Sequence, residues 1–219
     1  MRIVGGEWRG RAIEAPSDGA RRGKRNGNRT VAPDGSLRPT TDRARETLFN
    51  VLAHDPDTRL RDATVLDCFA GTGALGIEAL SRGAAACIFV ERDRAARALI
   101  ERTLDRLGAA DRARVLPLDA TRAGPAPLAH DLVLLDPPYG RGLGERALAA
   151  LAANGWLADD ATVVIEEEAD AAIAWPSGFE PAREIGVGAT RFHVARLVAR
   201  PVGTAGSGAE RLRPPPPNP

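Results

Sequence analysis

The chain has 219 residues, 43% of them hydrophobic and 27% charged, with a net charge of +1. That length makes one domain, or one with a small appendage, and it can bury a sizeable core. No apolar run approaches the ~20 residues that span a bilayer, and Met1 leads straight into a basic, glycine-rich segment, so a soluble, cytoplasmic protein without signal peptide is expected.

The net charge conceals an asymmetry. Residues 1–45 hold eleven basic and five acidic residues, a net +6, so the remainder carries −5. A basic head on a mildly acidic body suits a polyanion, most simply nucleic acid, although a solvated arm has the same composition. Residues 2–14 are expected to form a small hairpin, with Ile3-Val4 and Ala12-Ile13 as strand pieces around Gly5, Gly6 and Gly10. Trp8, Arg9 and Arg11 fall at its tip. Arginines can meet phosphates while the ring stacks on a base; alternatively, Trp8 packs the hairpin on the body.

Ser17 to Ser36 lacks periodicity and is expected to be a basic loop. Leu37-Arg38-Pro39-Thr40-Thr41-Asp42 then leads into a helix through about Ala53. Pro39 cannot lie inside it, and Thr40, Thr41 or Asp42 can cap it. Ala44, Leu48, Val51 and Leu52 make its apolar stripe, with Arg38, Arg43 and Arg45 polar near the start.

From Thr64 onward strands alternate with helices. Strands are expected near 64–69, 86–90, 113–117, 131–135 and 161–166, and helices near 74–82, 93–107 and 143–153. That alternation means an α/β fold, a parallel sheet with helices on both sides. Pro181 to Ile185 and Thr190 to Leu197 then form an antiparallel hairpin around Val187-Gly188. A mostly parallel, seven-stranded, Rossmann-like sheet closing in such a hairpin fits the class I S-adenosylmethionine-dependent methyltransferases, here with a small N-terminal β-hairpin added. The expected divisions are a basic hairpin and loop over 1–36, the methyltransferase domain over 37–200, and a disordered tail over 201–219, rich in proline and glycine.

Two motifs carry chemistry. Thr64 to Gly76, TVLDCFAGTGALG, is a buried strand, a glycine turn spaced G-x-G-x-x-G (Gly71, Gly73, Gly76) and a helix start. Glycines there allow a sharp turn and close approach of a ligand to the main chain. Glu91, twenty residues beyond Gly71 at the end of the next strand, can accept both hydroxyls of a ribose. A nucleoside cofactor follows. Asp67 can orient the turn or meet the cofactor's far end. Asp119, after the third strand, can bond an adenine amino group or simply form a turn.

The second motif is Asp136-Pro137-Pro138-Tyr139 at the end of the fourth strand, a [DNS]-P-P-[YFW] sequence like that of methyltransferases acting on exocyclic amines of bases. Such an amine is a poor nucleophile, because its lone pair is delocalised into the ring. Asp136 and the Pro137 carbonyl can hold its two N–H groups and favour a pyramidal nitrogen. The prolines stiffen the turn. Tyr139 can stack on a base splayed from its helix. Glu166, Glu167 and Glu168 are expected at a solvated strand end. Cys68 and Cys87 are expected to be small buried hydrophobes, and no ligand set for a metal is expected.

Three blocks, MRIVGGEWRGR at the start, LRPTTDRARETLFNVL at 37–52 and LDCFAGTGALGIEALSRGA at 66–84, followed by Asp136 to Tyr139, resemble the RsmD family of bacterial 16S ribosomal RNA guanine-N2 methyltransferases. The resemblance implies S-adenosyl-L-methionine as cofactor and guanine 966 of 16S rRNA, in the assembled 30S subunit, as substrate. It implies cofactor contacts by Asp67, Phe69, Ala70, Gly71, Thr72, Gly73, Glu91, Asp119, Ala120 and Asp136, with Arg38 and Thr40 bordering the cofactor. It sets Asp136, Pro137, Pro138 and Tyr139 at the base, and Trp8, Arg9, Arg11 and Arg43 on RNA. Ser17–Ser36 is longer than the family's link, and Thr103 replaces an asparagine, which puts a local hydrogen bond in question. Nothing demands an oligomer, so a monomer is expected. Three rivals remain: a nicotinamide-dependent oxidoreductase, a DNA adenine-N6 methyltransferase and a non-catalytic RNA-binding protein. The first shares only the glycine turn and Glu91.

Overall fold

Alternating side chains on the central strands divide the core in two. Val65, Phe89, Leu132 and Leu134 face one side of the sheet, and Leu66, Val90, Val133 and Leu135 the other. Both sets are buried, as a parallel sheet covered by helices requires. The computed structural model describes residues 1–15 and 41–198; expectations for Arg38, Thr40, the loop 17–36 and the tail 201–219 lie outside them.

The elements run α1 (Asp42–His54), β1 (Thr64–Cys68), α2 (Ala74–Ser81), β2 (Ala86–Val90), α3 (Arg94–Leu107), β3 (Ala113–Leu116), β4 (His130–Leu135), α4 (Leu143–Ala153), β5 (Leu157–Glu168), β6 (Phe179–Val187) and β7 (Thr190–Leu197). The sheet order is β3-β2-β1-β4-β5-β7-β6. β1 to β5 are parallel, and β7 runs antiparallel to both β5 and β6. α1, α2 and α3 line one face, and α4 the other. The order reverses between β1 and β4, so the crevice beyond their carboxyl ends is the natural ligand site.

β5 starts at Leu157, four residues before the expected strand. Its register shifts opposite His130 to Leu132, and Asp160 has a φ of 60°, so an exposed polar bulge hides the first part of the strand from a hydrophobic pattern. Thr41 caps α1 by accepting from the Ala44 N–H at 3.1 Å.

The N-terminal segment forms a small antiparallel hairpin with a bridge between Arg2 and Ala12. It belongs to the body: Ile3, Trp8 and Ile13 join the core that α1, α2 and α3 share. The main chain at Glu7 and Trp8 donates to the Ser81 carbonyl and hydroxyl, at 2.7 and 3.0 Å. Gly6 has a φ of +73°, and a Cβ there would fall 1.8 Å from the Ser81 oxygen, so only glycine allows this approach.

The structure decides between the two readings of Trp8, and one expectation, for Arg45, fails. Trp8 is 5% exposed, with the Arg112 guanidinium 5.4 Å from its ring centre, so its ring packs the hairpin on the body and offers no face to a base. Arg45, expected off the apolar stripe and polar near the start of α1, is fully buried between α1 and α2, where it meets Glu78 at 3.5 Å and Asp42 at 3.0 Å. The stripe of α1 includes Arg45 and Phe49, and Val51 is only half-buried. Arg9, Arg11 and Arg43 are exposed. Thr103 is buried and does form local hydrogen bonds: it donates to Leu99 O at 2.9 Å and accepts from Glu14 N–H at 3.1 Å.

Candidate active site

β1 ends in a backbone that doubles back. Phe69, Gly71 and Gly73 have φ of 58°, 55° and 76°, all left-handed. Phe69 is not a glycine, so its conformation is strained, and such strain gathers at ligand sites. Gly76 answers a different need: a Cβ there would lie 2.4 Å from the Phe89 ring and 2.7 Å from Cys87 Sγ, so glycine seats α2 on the sheet.

Acids hold this turn from both sides. Glu91 accepts the Gly71 N–H at 2.8 Å and, with its other oxygen, the Asp93 N–H at 2.8 Å. Each carboxylate oxygen keeps acceptor capacity for a hydroxyl. Asp67 is 1% exposed and accepts the Gly76 N–H at 2.8 Å through Oδ2, while Oδ1 is buried without a partner. A ligand hydroxyl, which can both donate and accept, would satisfy that oxygen, so the residues fit a nucleoside cofactor. Ala70 and Thr72 are half-buried within the same turn. Asp119 accepts from Thr121 Oγ1 at 2.7 Å and from its N–H at 3.0 Å, and this bonding to Thr121 lowers its pKa. Ala120 beside it is buried.

Burial pushes the Asp67 carboxyl up to about 8; the Gly76 N–H opposes the rise and the charge of Glu91 adds to it. The unfolded value is about 4. The folded chain therefore holds a proton that the unfolded chain has lost between about pH 4 and pH 8, and stability falls as pH rises through that window. Asp67→Asn keeps an oxygen for the Gly76 N–H and removes the ionisation. Its ligand-free melting temperature is expected to exceed that of the native chain above about pH 8, with the gap closing towards pH 5. Equal slopes against pH in the two proteins would contradict this.

Asp136 follows β4 immediately, and its N–H donates at 3.3 Å to the carbonyl of Cys68, the last residue of β1. The two motifs thus leave adjacent strands side by side, paired through Cys68 and Leu135. Pro137 is buried, Asp136 and Tyr139 half-buried and Pro138 exposed. Gly144, in the first turn of α4, would put a Cβ 2.9 Å from Ile165 and 3.5 Å from Pro137, so glycine lets α4 close on the proline turn.

The glutamates of β5 depart from expectation. Glu166 and Glu167 are 1% and 4% exposed, and only Glu168 is solvated. Tyr139 Oη donates to Glu166 Oε1 at 2.8 Å, and the Gly140 N–H donates to Glu167 Oε2 at 3.3 Å. They are buried because β5 lies inside the sheet, between β4 and β7, rather than at its edge. The run Val163-Val164-Ile165 before them was the available signal. Among the described residues no group of acids, histidines and cysteines could hold a metal, and both cysteines are buried and free.

A sheet with this order, in which β7 alone is reversed, and with a glycine turn on its first strand, defines a class I S-adenosylmethionine-dependent methyltransferase fold. A family profile described as "Conserved hypothetical protein 95" matches residues 22–196. The protein "Ribosomal RNA small subunit methyltransferase D" of Escherichia coli K12 is 43% identical over 171 residues, covering 78% of this chain and 76% of its own. The protein of the same name from Haemophilus influenzae is 32% identical over 198 residues, covering 89% and 92%. A solved structure, "Putative methyltransferase yhhF from Escherichia coli", superposes with a TM-score of 0.73 at 38% identity, covering 90% of this chain and 97% of that one. The chain belongs to this family, that of the RsmD-type ribosomal RNA small subunit methyltransferases.

Proposed function

We propose that the protein transfers the methyl group of S-adenosyl-L-methionine to the exocyclic N2 of a guanine, guanine 966, in 16S rRNA of the assembled 30S subunit, acting as a cytoplasmic monomer. The relatives' names support a small-subunit rRNA substrate. The observation that carries the chemistry is the adjacency of the two motifs, tied by the bond from Asp136 N–H to Cys68 O. It puts an acceptor-bearing turn next to the cofactor turn.

Gly71 to Gly73, Glu91, Asp67 and Asp119 would hold the cofactor, which supplies an electrophilic methyl when bound. The chain's task is then positioning. Asp136 accepts one N–H of the target amine, and the Pro137 carbonyl accepts the other. The nitrogen lone pair is thereby turned out of the ring towards the methyl. Tyr139 stacks on the base, which must leave its helix to arrive. The surplus proton passes to Asp136 or to water after transfer. Arg9, Arg11 and Arg43 are exposed and contact RNA phosphates, and Arg38 and Thr40 border the cofactor.

The test is methyl transfer from labelled S-adenosylmethionine to 30S subunits from cells lacking their own copy of the enzyme, followed by nucleoside analysis. N2-methylguanosine is expected. Label only in duplex DNA, as N6-methyladenine, would overturn the proposal.

A further inference from the structure

We propose that Glu166 is a positioning residue for base recognition: from inside β5 its carboxylate anchors the hydroxyl of Tyr139 and fixes the plane of that ring against the target base. This rests on the proposed role of Tyr139 at the base.

Tyr139 leaves the proline turn after β4 and reaches across to β5. Its hydroxyl donates to Glu166 Oε1 at 2.8 Å and lies 3.4 Å from Thr190 Oγ1 on β7. Glu166 pairs in the sheet with Phe192 of β7 and is 1% exposed. The next residue, Gly140, has its N–H on Glu167. Successive strand residues face opposite sides of a sheet, so the Tyr139-Gly140 turn straddles the end of β5, held on each side by a different glutamate.

A tyrosine ring has two side-chain torsions. The backbone turn holds one end, and a bond at the hydroxyl holds the other, so neither torsion stays loose. A carboxylate acceptor makes that bond short and strong. A carboxylate buried in a central strand is costly unless it is bonded, and the phenol supplies part of that bonding. Burial, and then the charge of Glu166, push the phenol's pKa far above its ordinary range, so Tyr139 remains a donor at any working pH. A flat ring held this way presents a fixed face to an incoming base. A loose ring would have to be ordered at each encounter.

Tyr139 is the chain's single tyrosine, so a ring-labelled tyrosine reports on it alone. The experiment compares the native chain with E166Q, E166A, Y139F and Y139F/E166A. It measures kcat and KM on 30S subunits, binding of S-adenosylhomocysteine, melting temperature, and, for the variants that keep the tyrosine, the NMR of the labelled ring. Y139F and E166A are each expected to lower kcat by ~10-fold with cofactor binding unchanged, because a misplaced ring spoils geometry rather than affinity. The double variant should be no slower than Y139F, since both changes cut one bond. E166Q offers an amide oxygen to the phenol and should keep most of the rate. The ring signals should show restricted motion in the native chain and E166Q, and averaging in E166A. A wild-type rate for Y139F overturns the proposal, even if E166A fails to fold, as do multiplicative losses in the double variant. A restricted ring in a native chain that methylates no 30S would leave the anchor standing and refute the substrate reading instead.

Discussion

Asp136→Ala is expected to remove methyl transfer almost entirely, lowering kcat by about 10²–10⁴-fold while S-adenosylhomocysteine binds as before. The exocyclic amine becomes nucleophilic only while its N–H groups are held away from the ring plane. The Pro137 carbonyl alone would leave one N–H unheld. Cofactor binding should survive, because the glycine turn is fixed by Asp67 and Glu91 through main-chain bonds that do not involve the Asp136 side chain. The turn itself should also survive, because Pro137 is wedged against Gly144 and the Asp136 N–H on Cys68 O is a main-chain bond. Asp136→Asn keeps one acceptor oxygen and adds a donor, so its rate should fall between the two. Single-turnover rates on 30S subunits, with calorimetric cofactor binding, measure both quantities. A wild-type rate for Asp136→Ala would remove this residue from the chemistry.

The sheet was legible because its signals are local and redundant. Apolar runs in the central strands, the glycine turn and the closing hairpin each announce themselves within a few residues, and they agree with one another. The bounds of α4 followed from the same local rules, which also narrowed the cap of α1 to three residues, of which Thr41 is the one. What sequence could not supply was the partner of each polar residue. Glu166 and Glu167 look like a charged strand end until β7 is inserted beside β5 and encloses them. Trp8 sits among arginines in the chain, yet its ring belongs to a core assembled with α2 and α3, far away in the sequence, and its main-chain N–H bonds Ser81 across a separation of 73 residues. Asp67 illustrates the reverse case: its place before the glycines was visible, and its bond to Gly76 N–H follows directly from the strand–turn–helix geometry.

Arg45 is the sharpest of these misreadings, and its replacement by alanine carries the second large expected effect. Its side chain is fully buried, paired with Asp42 and Glu78, and it also donates to the Arg2 carbonyl. Glu78 is itself fully buried, and accepts from the Val4 N–H at 2.9 Å and from Arg82 at 2.7 Å. One ion cluster therefore fastens the N-terminal hairpin and α1 to α2, the helix that begins at the glycine turn. Removing one member of a buried pair leaves the other's charge uncompensated, which costs about 3–5 kcal/mol. For a chain of this size that lowers the melting temperature by about 10 °C. Arg82 keeps part of the charge balance, so the lower end of that range applies. Arg43, two residues earlier and exposed, provides the contrast. Arg43→Ala should leave stability within about 0.5 kcal/mol and instead weaken RNA binding, with a shallower dependence on salt. Melting curves and salt-dependent binding of the two variants separate the roles. An Arg45→Ala protein that melts with the native chain but loses salt-dependent RNA affinity would show that this arginine leaves the core to meet RNA. The buried cluster predicts the opposite, a less stable protein whose salt dependence is unchanged.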